Sequence, residues 1–200
     1  MTLLRTGPRG AELFRVTSGD ATVTVHALDP DADADLLHRW VTRPTAVFWG
    51  MGHLSRDEVR DTYAFVETLP SHHAYLVRWN GEPVVLLQAY DPHDDPVSTA
   101  YDVRPGDIGL HFFLGERGPG GAGLWRVLGP AMIGFLLSGA DARRLVAEPD
   151  ARNAAAVARV RAVGFEPGPR VRFDSAHGPK DAQLVFLTRE RAEELAARAG

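Results

Sequence analysis

The sequence predicts a mixed α+β fold, one domain over residues 1–200 with helices packed on a sheet. Three features predict it: apolar–polar alternation broken by turn residues, amphipathic stretches with helix caps, and short apolar runs between them. A chain of 200 residues, 44% hydrophobic and 24% charged, can bury a sizeable core.

Residues 1–10, broken early by Gly7-Pro8, are expected to be a flexible tail. "ELFRVTSGDATVTVHALD" alternates on both sides of Ser18-Gly19-Asp20 and predicts a hairpin, 12–17 with 21–28. "DPDADADLLHRWVT" offers Asp N-caps followed by Leu36, Leu37 and Trp40 at helical spacing. "SRDEVRDTYAFVETL" is a second amphipathic helix, with Ser55 and Glu58 spaced as a capping box. "HAYLVRWNGEPVVLLQAYD" is two strands joined at Asn80-Gly81, a strong hairpin signal. Residues 91–106, rich in Asp and Pro, form a long loop. A strand near 107–115, a helix near 121–138 and the short strand "RRLVAEP" follow. "DARNAAAVARVRAVGF" is a helix stopped by Gly164. Strands near 165–174 and 182–188 and the helix "RERAEELAARA" close the chain.

Composition excludes several functions. A net charge of −4 argues against nucleic-acid binding, which needs clustered cations. Lys180 is the single lysine among 22 basic residues. The absence of cysteine removes disulfides, thiolate nucleophiles and cysteine-based zinc sites. His72-His73, His93 and His177 lack metal-ligand spacing, so no metal is expected, and these side chains are expected on the surface or in loops. No apolar run approaches membrane-spanning length, and the N-terminus lacks a signal-peptide core. A cytoplasmic protein without a membrane partner is expected.

"GDIGLHFFLGERGPGGAGLWRVLGPAM" (106–132) places a glycine-rich segment between a strand and a helix. Such a turn lets backbone N–H groups and a helix N-terminus approach a phosphate. A Walker A loop is excluded, because Leu124-Trp125 stand where Lys-Ser/Thr is required. A dinucleotide loop fits poorly, since Asp141 precedes its strand instead of ending one. Arg117-Gly118-Pro119-Gly120-Gly121-Ala122 fits Arg-x-x-Gly-x-Gly/Ala, the pyrophosphate loop of GNAT acyltransferases. A plain surface turn is the other reading of the loop alone.

The order of elements resembles the GNAT fold over nearly the entire chain. Gly109-Leu110-His111, Arg117-Gly118-Pro119, Glu148-Pro149 with Asn153, and Gly164-Phe165 resemble the branch that acylates siderophore precursors, the aerobactin, alcaligin and mycobactin type. "AVFWGM" (46–51) and "GEPVVLLQAYD" (81–91) resemble further segments of that branch. The resemblance implies a twisted, mostly antiparallel sheet of about seven strands. It also implies an acyl-CoA co-substrate, acetyl-CoA or succinyl-CoA, and a small N-hydroxylated amine as acceptor. The reaction implied is hydroxamate formation by a monomer or homodimer. Many GNAT enzymes carry a tyrosine acid seven residues after the helix asparagine; here that position is Val160, which has no proton to give.

Asp107, Gly109, His111 and Phe113 share one face of their strand. Gly109 is expected to leave open space beside His111. A strand histidine is either a hydrogen-bonded core residue or a base, and imidazole accepts protons near neutral pH. The resemblance assigns His111 catalysis. Asp150 reads as a helix N-cap; the resemblance makes it the partner of His111. It also places Asn153 on the pantetheine arm and Phe112, Leu114, Gly118, Gly120, Gly121, Ala122 and Gly123 beside Arg117 in the cofactor site. Trp49, Gln88 and Tyr90 match acceptor-pocket segments, and read otherwise as core or strand residues. Two alternatives remain open: acetylation of an antibiotic amine or protein N-terminus, and a non-catalytic acyl-CoA-binding module.

Overall fold

Local chemistry accounts for most element boundaries in the computed structural model, which describes residues 3–116, 123–175 and 178–199. The described residues form eight strands, the number placed one by one from the sequence and close to the seven or so that the resemblance implied, in the order β1-β2-β3-β4-β5-β6-β8-β7. The chain divides into two compact units, one built from 6–88 with 112–127 and the other from 1–5, 89–111 and 128–200.

In the first unit, β1 (Glu12–Ser18) and β2 (Ala21–Ala27) pair antiparallel down to Ser18 opposite Ala21. β3 (His72–Trp79) pairs antiparallel with β2 and leads into β4 (Glu82–Tyr90) through Asn80-Gly81. Asn80 (φ 48°) and Gly81 (φ 88°) are both left-handed, the backbone that a two-residue type I′ turn requires. α1 (Ala34–Val41) buries Leu37, Trp40 and Val41. α2 (Arg56–Thr68) starts from a complete capping box between Ser55 and Glu58. Both helices bury their apolar stripes with Leu28, Met51, Leu76 and Leu86 in one core.

Residues ahead of β1 are tied to this unit. Arg9 forks onto Glu67 (2.6 Å) and Asp31 (2.7 Å), and the Gly10 N–H donates to the Ala27 carbonyl.

In the second unit, the first half of β5 (Asp107–Leu114) pairs parallel with β6 (Arg144–Ala147). β6 pairs antiparallel with β8 (Gly178–Thr188), and β8 with β7 (Glu166–Ser175). β8 thus starts four residues earlier than expected. α3 (Leu124–Leu136) begins in the first unit and ends in this one. Arg189 donates to the carbonyls of Leu137, Gly139 and Ala142 just beyond its end. α4 (Ala154–Ala162) ends at Gly164, whose φ of +110° suits glycine. α5 (Arg189–Ala199) closes the chain. Tyr90, Val97, Val146, Phe173, Ala182 and Leu184 form a buried cluster here.

The expected helix start at 151 is corrected to 154. Asn153, not an aspartate, is the N-cap and accepts from the Ala156 N–H at 3.1 Å. The long loop 91–106 carries two short 3-10 turns, in which Asp91 and Asp95 accept from the His93 and Val97 N–H groups.

Candidate functional site

β5 and β6 run parallel in the register Asp107 opposite Arg144 and Gly109 opposite Val146, an offset of 37 residues. Extending that offset two residues along the same face brings His111 to Glu148. The structure places them in direct contact, His111 Nε2 against Glu148 Oε1. Glu148 is 2% exposed, whereas the imidazole keeps 35% of its surface.

A carboxylate buried this deeply needs partners for each oxygen. Oε2 accepts from the Tyr90 hydroxyl at 2.8 Å. Oε1 also accepts from Lys180 Nζ at 3.3 Å. Burial by itself pushes the Glu148 carboxyl up, but His111, then Lys180 and Tyr90, outweigh it and bring the group down to about 2. Burial, reinforced by the Glu148 charge, pushes the Tyr90 hydroxyl well up, so it stays a proton-bearing donor.

Tyr90 also corrects the expectation for Gly109. The space beside Gly109 is filled: a Cβ there would collide with the Tyr90 ring. The missing side chain lets Tyr90 pack 5.1 Å from the imidazole, centroid to centroid, while its hydroxyl reaches Glu148. Tyr90 is 1% exposed, so its ring serves here as packing beside the imidazole.

Asp150, expected as the histidine's partner or a helix N-cap, fills neither role here. Its carboxylate accepts from the Arg152 N–H and guanidinium, at 2.9 and 2.7 Å, which holds the group below its ordinary range. Its backbone forms a bridge to Ala182. The physical reason is register: Glu148 sits opposite His111 across the parallel pair, and Asp150 has passed beyond it. Glu148 was visible in the sequence as part of a motif and Lys180 as a lone lysine, but neither was assigned to the site.

The remaining candidates have the following places. Asn153 caps α4. Phe112 and Leu114 lie half-buried at the end of β5, with Phe112 packed 5.4 Å from Trp125. Among the described residues nothing lies within 4 Å of the Cβ position of Gly123. Arg117, Gly118, Gly120, Gly121 and Ala122 fall outside the described residues.

The chain entering that segment is held firmly. Arg43 donates to the Gly115 carbonyl and to Glu116 (2.6 Å), and Trp40 Nε1 donates to Glu116 (3.1 Å). Trp49 donates to the Tyr63 hydroxyl at 3.2 Å and packs on Phe113 at 5.6 Å. Gln88 is half-buried on β4. His72 and His73, expected on the surface, are half-buried in β3.

Among the described residues no cluster of three or more potential metal ligands occurs, and no helix is long and apolar enough to cross a membrane.

Residues 29–173 match the family described as an acetyltransferase (GNAT) domain. An N-hydroxyputrescine acetyltransferase of Acinetobacter baumannii is 26% identical over 163 residues, covering 80% of this chain and 74% of that protein. The lysine N-acyltransferase MbtK of a Mycobacterium species is 27% identical over 130 residues, covering 64% of this chain. The matched region spans about half of that relative, 53%. Among solved structures, an uncharacterized protein of Bacillus halodurans superposes with a TM-score of 0.83 at 20% identity, covering 96% of this chain and 97% of that one. An aminoglycoside acetyltransferase in complex with coenzyme A gives 0.69 at 23% identity, covering 87% and 99%. At these identities the structural likeness speaks for fold.

Proposed function

The chain belongs to the GNAT acetyltransferase family, and from that premise we propose that it acylates the N-hydroxylated side-chain amine of a diamine or basic amino acid, forming a hydroxamate for siderophore assembly. Family membership makes it an acyl-CoA-dependent N-acyltransferase with acyl-CoA as co-substrate. The finer reading draws support from the relative named for N-hydroxyputrescine and from the relative named for lysine.

The observation that carries it is the contact between His111 and the buried Glu148 carboxylate. In the transfer, the acceptor nitrogen attacks the thioester carbonyl, the N–C bond forms, the C–S bond breaks and the CoA thiolate leaves. The proton lost by nitrogen goes to His111, and Glu148 stabilises the imidazolium that results. A lysine-type amine has a pKa of about 10.4 and is charged at neutral pH. A hydroxylamine is much less basic and arrives uncharged, so a base of imidazole strength suffices. Val160, where many GNAT enzymes carry a tyrosine acid, is buried at 2% exposure. Arg117 and the N–H groups of Gly118 and of Gly120 to Ala122 would hold the CoA pyrophosphate, with Phe112 and Leu114 alongside its arm.

Thiol release from acetyl-CoA and succinyl-CoA tests this reading. The acceptors are N-hydroxyputrescine, N-hydroxycadaverine, N-hydroxylysine and N-hydroxyornithine, each beside its parent amine, plus an aminoglycoside panel. At least tenfold higher kcat/KM for a hydroxylamine than for its parent amine is expected. Preference for parent amines or aminoglycosides would replace it with an antibiotic- or polyamine-directed activity.

A further inference from the structure

We propose that Lys180 is a positioning residue that keeps the His111 imidazole free to take a proton at neutral pH. This inference rests on His111 being the base, and the measurement chosen below does not depend on the acceptor.

The geometry is unusual in one respect. Glu148 Oε1 faces two nitrogen donors together, His111 Nε2 from β5 and Lys180 Nζ from β8, while Oε2 is taken by Tyr90 from β4. A buried carboxylate holding an imidazole alone would favour the imidazolium strongly, and a base already protonated cannot accept a second proton. The Lys180 ammonium opposes that in two ways. It shares the oxygen the imidazole uses, and its charge repels a second positive charge beside it. Lys180 is held in place: its side chain is 23% exposed and its ammonium lies 5.8 Å from the Phe173 ring centroid.

Charges on the surrounding elements do not substitute for it. Asp95, from the loop after β4, and Tyr101 act on Tyr90, and neither brings a cation. Asp150, from the turn before α4, is paired with Arg152. Arg144 of β6 is committed to Asp107 through two bonds. Among the described residues Lys180 is therefore the cation placed to balance Glu148 against His111. It also keeps Glu148 ionised, since its loss removes one of the groups holding that carboxyl down.

The test is an NMR titration of ring resonances in histidine-labelled protein, with His111→Gln identifying the His111 signal. In Lys180→Met the midpoint of the His111 ring signal should move up by about one pH unit. Lys180→Arg should restore the wild-type midpoint. Lys180→Gln, which keeps a donor of similar reach without the charge, should also move it up, and serves if Lys180→Met folds poorly.

The acid limb of kcat/KM should follow, with at least about threefold lower turnover of Lys180→Met at pH 6 relative to pH 8. A midpoint unmoved or lowered in a folded Lys180→Met or Lys180→Gln, or an arginine variant that behaves like methionine, would overturn the assignment. A lysine needed only for packing would lower the melting temperature and leave the midpoint in place. If no acceptor in the panel is turned over, the ring titration still decides the role of Lys180.

Discussion

Asp107 and Glu148 are the buried carboxylates of one parallel strand pair, and they are used differently. Asp107, 1% exposed, meets Arg144 through two bonds of 2.8 and 2.7 Å and also accepts from Tyr101 and the Arg104 N–H. The Arg144 guanidinium lies 4.7 Å from the Phe186 ring centroid and is 13% exposed. Its partner cannot lose its charge, and the pair is largely shielded from solvent. Glu148 is equally buried, yet its partner is an imidazole that keeps 35% of its surface. One pair is a permanent cation largely shielded against an anion; the other sets an anion against an imidazole that stays accessible. Burial of the carboxylate is common to both, so burial alone does not mark a catalytic site. The accessible imidazole is what supports the catalytic role proposed for His111.

Substitution of either carboxylate separates the two roles. Asp107→Asn should be the costliest for the fold, because it leaves the Arg144 guanidinium buried beside a neutral group. A loss of about 3–5 kcal/mol is expected in urea unfolding. The folded fraction should transfer acyl groups at close to the wild-type rate.

Glu148→Gln reverses the pattern. It should cost about 10²-fold or more in kcat/KM, since the imidazolium loses its counter-charge. Acid unfolding sharpens the point. The Glu148 carboxyl is held down to about 2 from an ordinary 4.5, so its stabilisation is complete above pH 4.5 and fades as pH falls towards 2. The stability gap between wild type and Glu148→Gln should therefore be full at pH 6 and narrow steadily below pH 4.5.

The smallest effect is expected at Asn153, whose side chain caps α4. Asn153→Ala should cost about 1 kcal/mol and Asn153→Asp much less, measured by thermal melting.

Where local chemistry decides, the sequence was readable. Asn80-Gly81, the Ser55–Glu58 capping box and Gly164 each act within a few residues, and each stands where alternation and caps placed it. The site was only half readable. His111 stood out as a polar residue on an apolar strand, but its partner depends on the register between β5 and β6. A choice between Glu148 and Asp150 is a choice of two residues in that register, and no local signal sets it. Gly109 was misread because what fills its space, the Tyr90 ring, arrives from another strand. Lys180 comes from β8, far along the chain, and its place beside Glu148 follows from the sheet order β6-β8-β7. Pairing over long separations set the chemistry that the sequence alone left open.

In the proposed reaction His111 takes the acceptor's proton while Glu148 steadies it. His111→Gln tests this most directly, because the glutamine amide can still donate to Glu148 but cannot accept the proton. Single-turnover transfer from acetyl-CoA to N-hydroxyputrescine should fall by about 10²–10⁴-fold, with acetyl-CoA affinity and melting temperature near wild type. A folded His111→Gln that binds acetyl-CoA and transfers at close to the wild-type rate would mean that the proton does not go to His111.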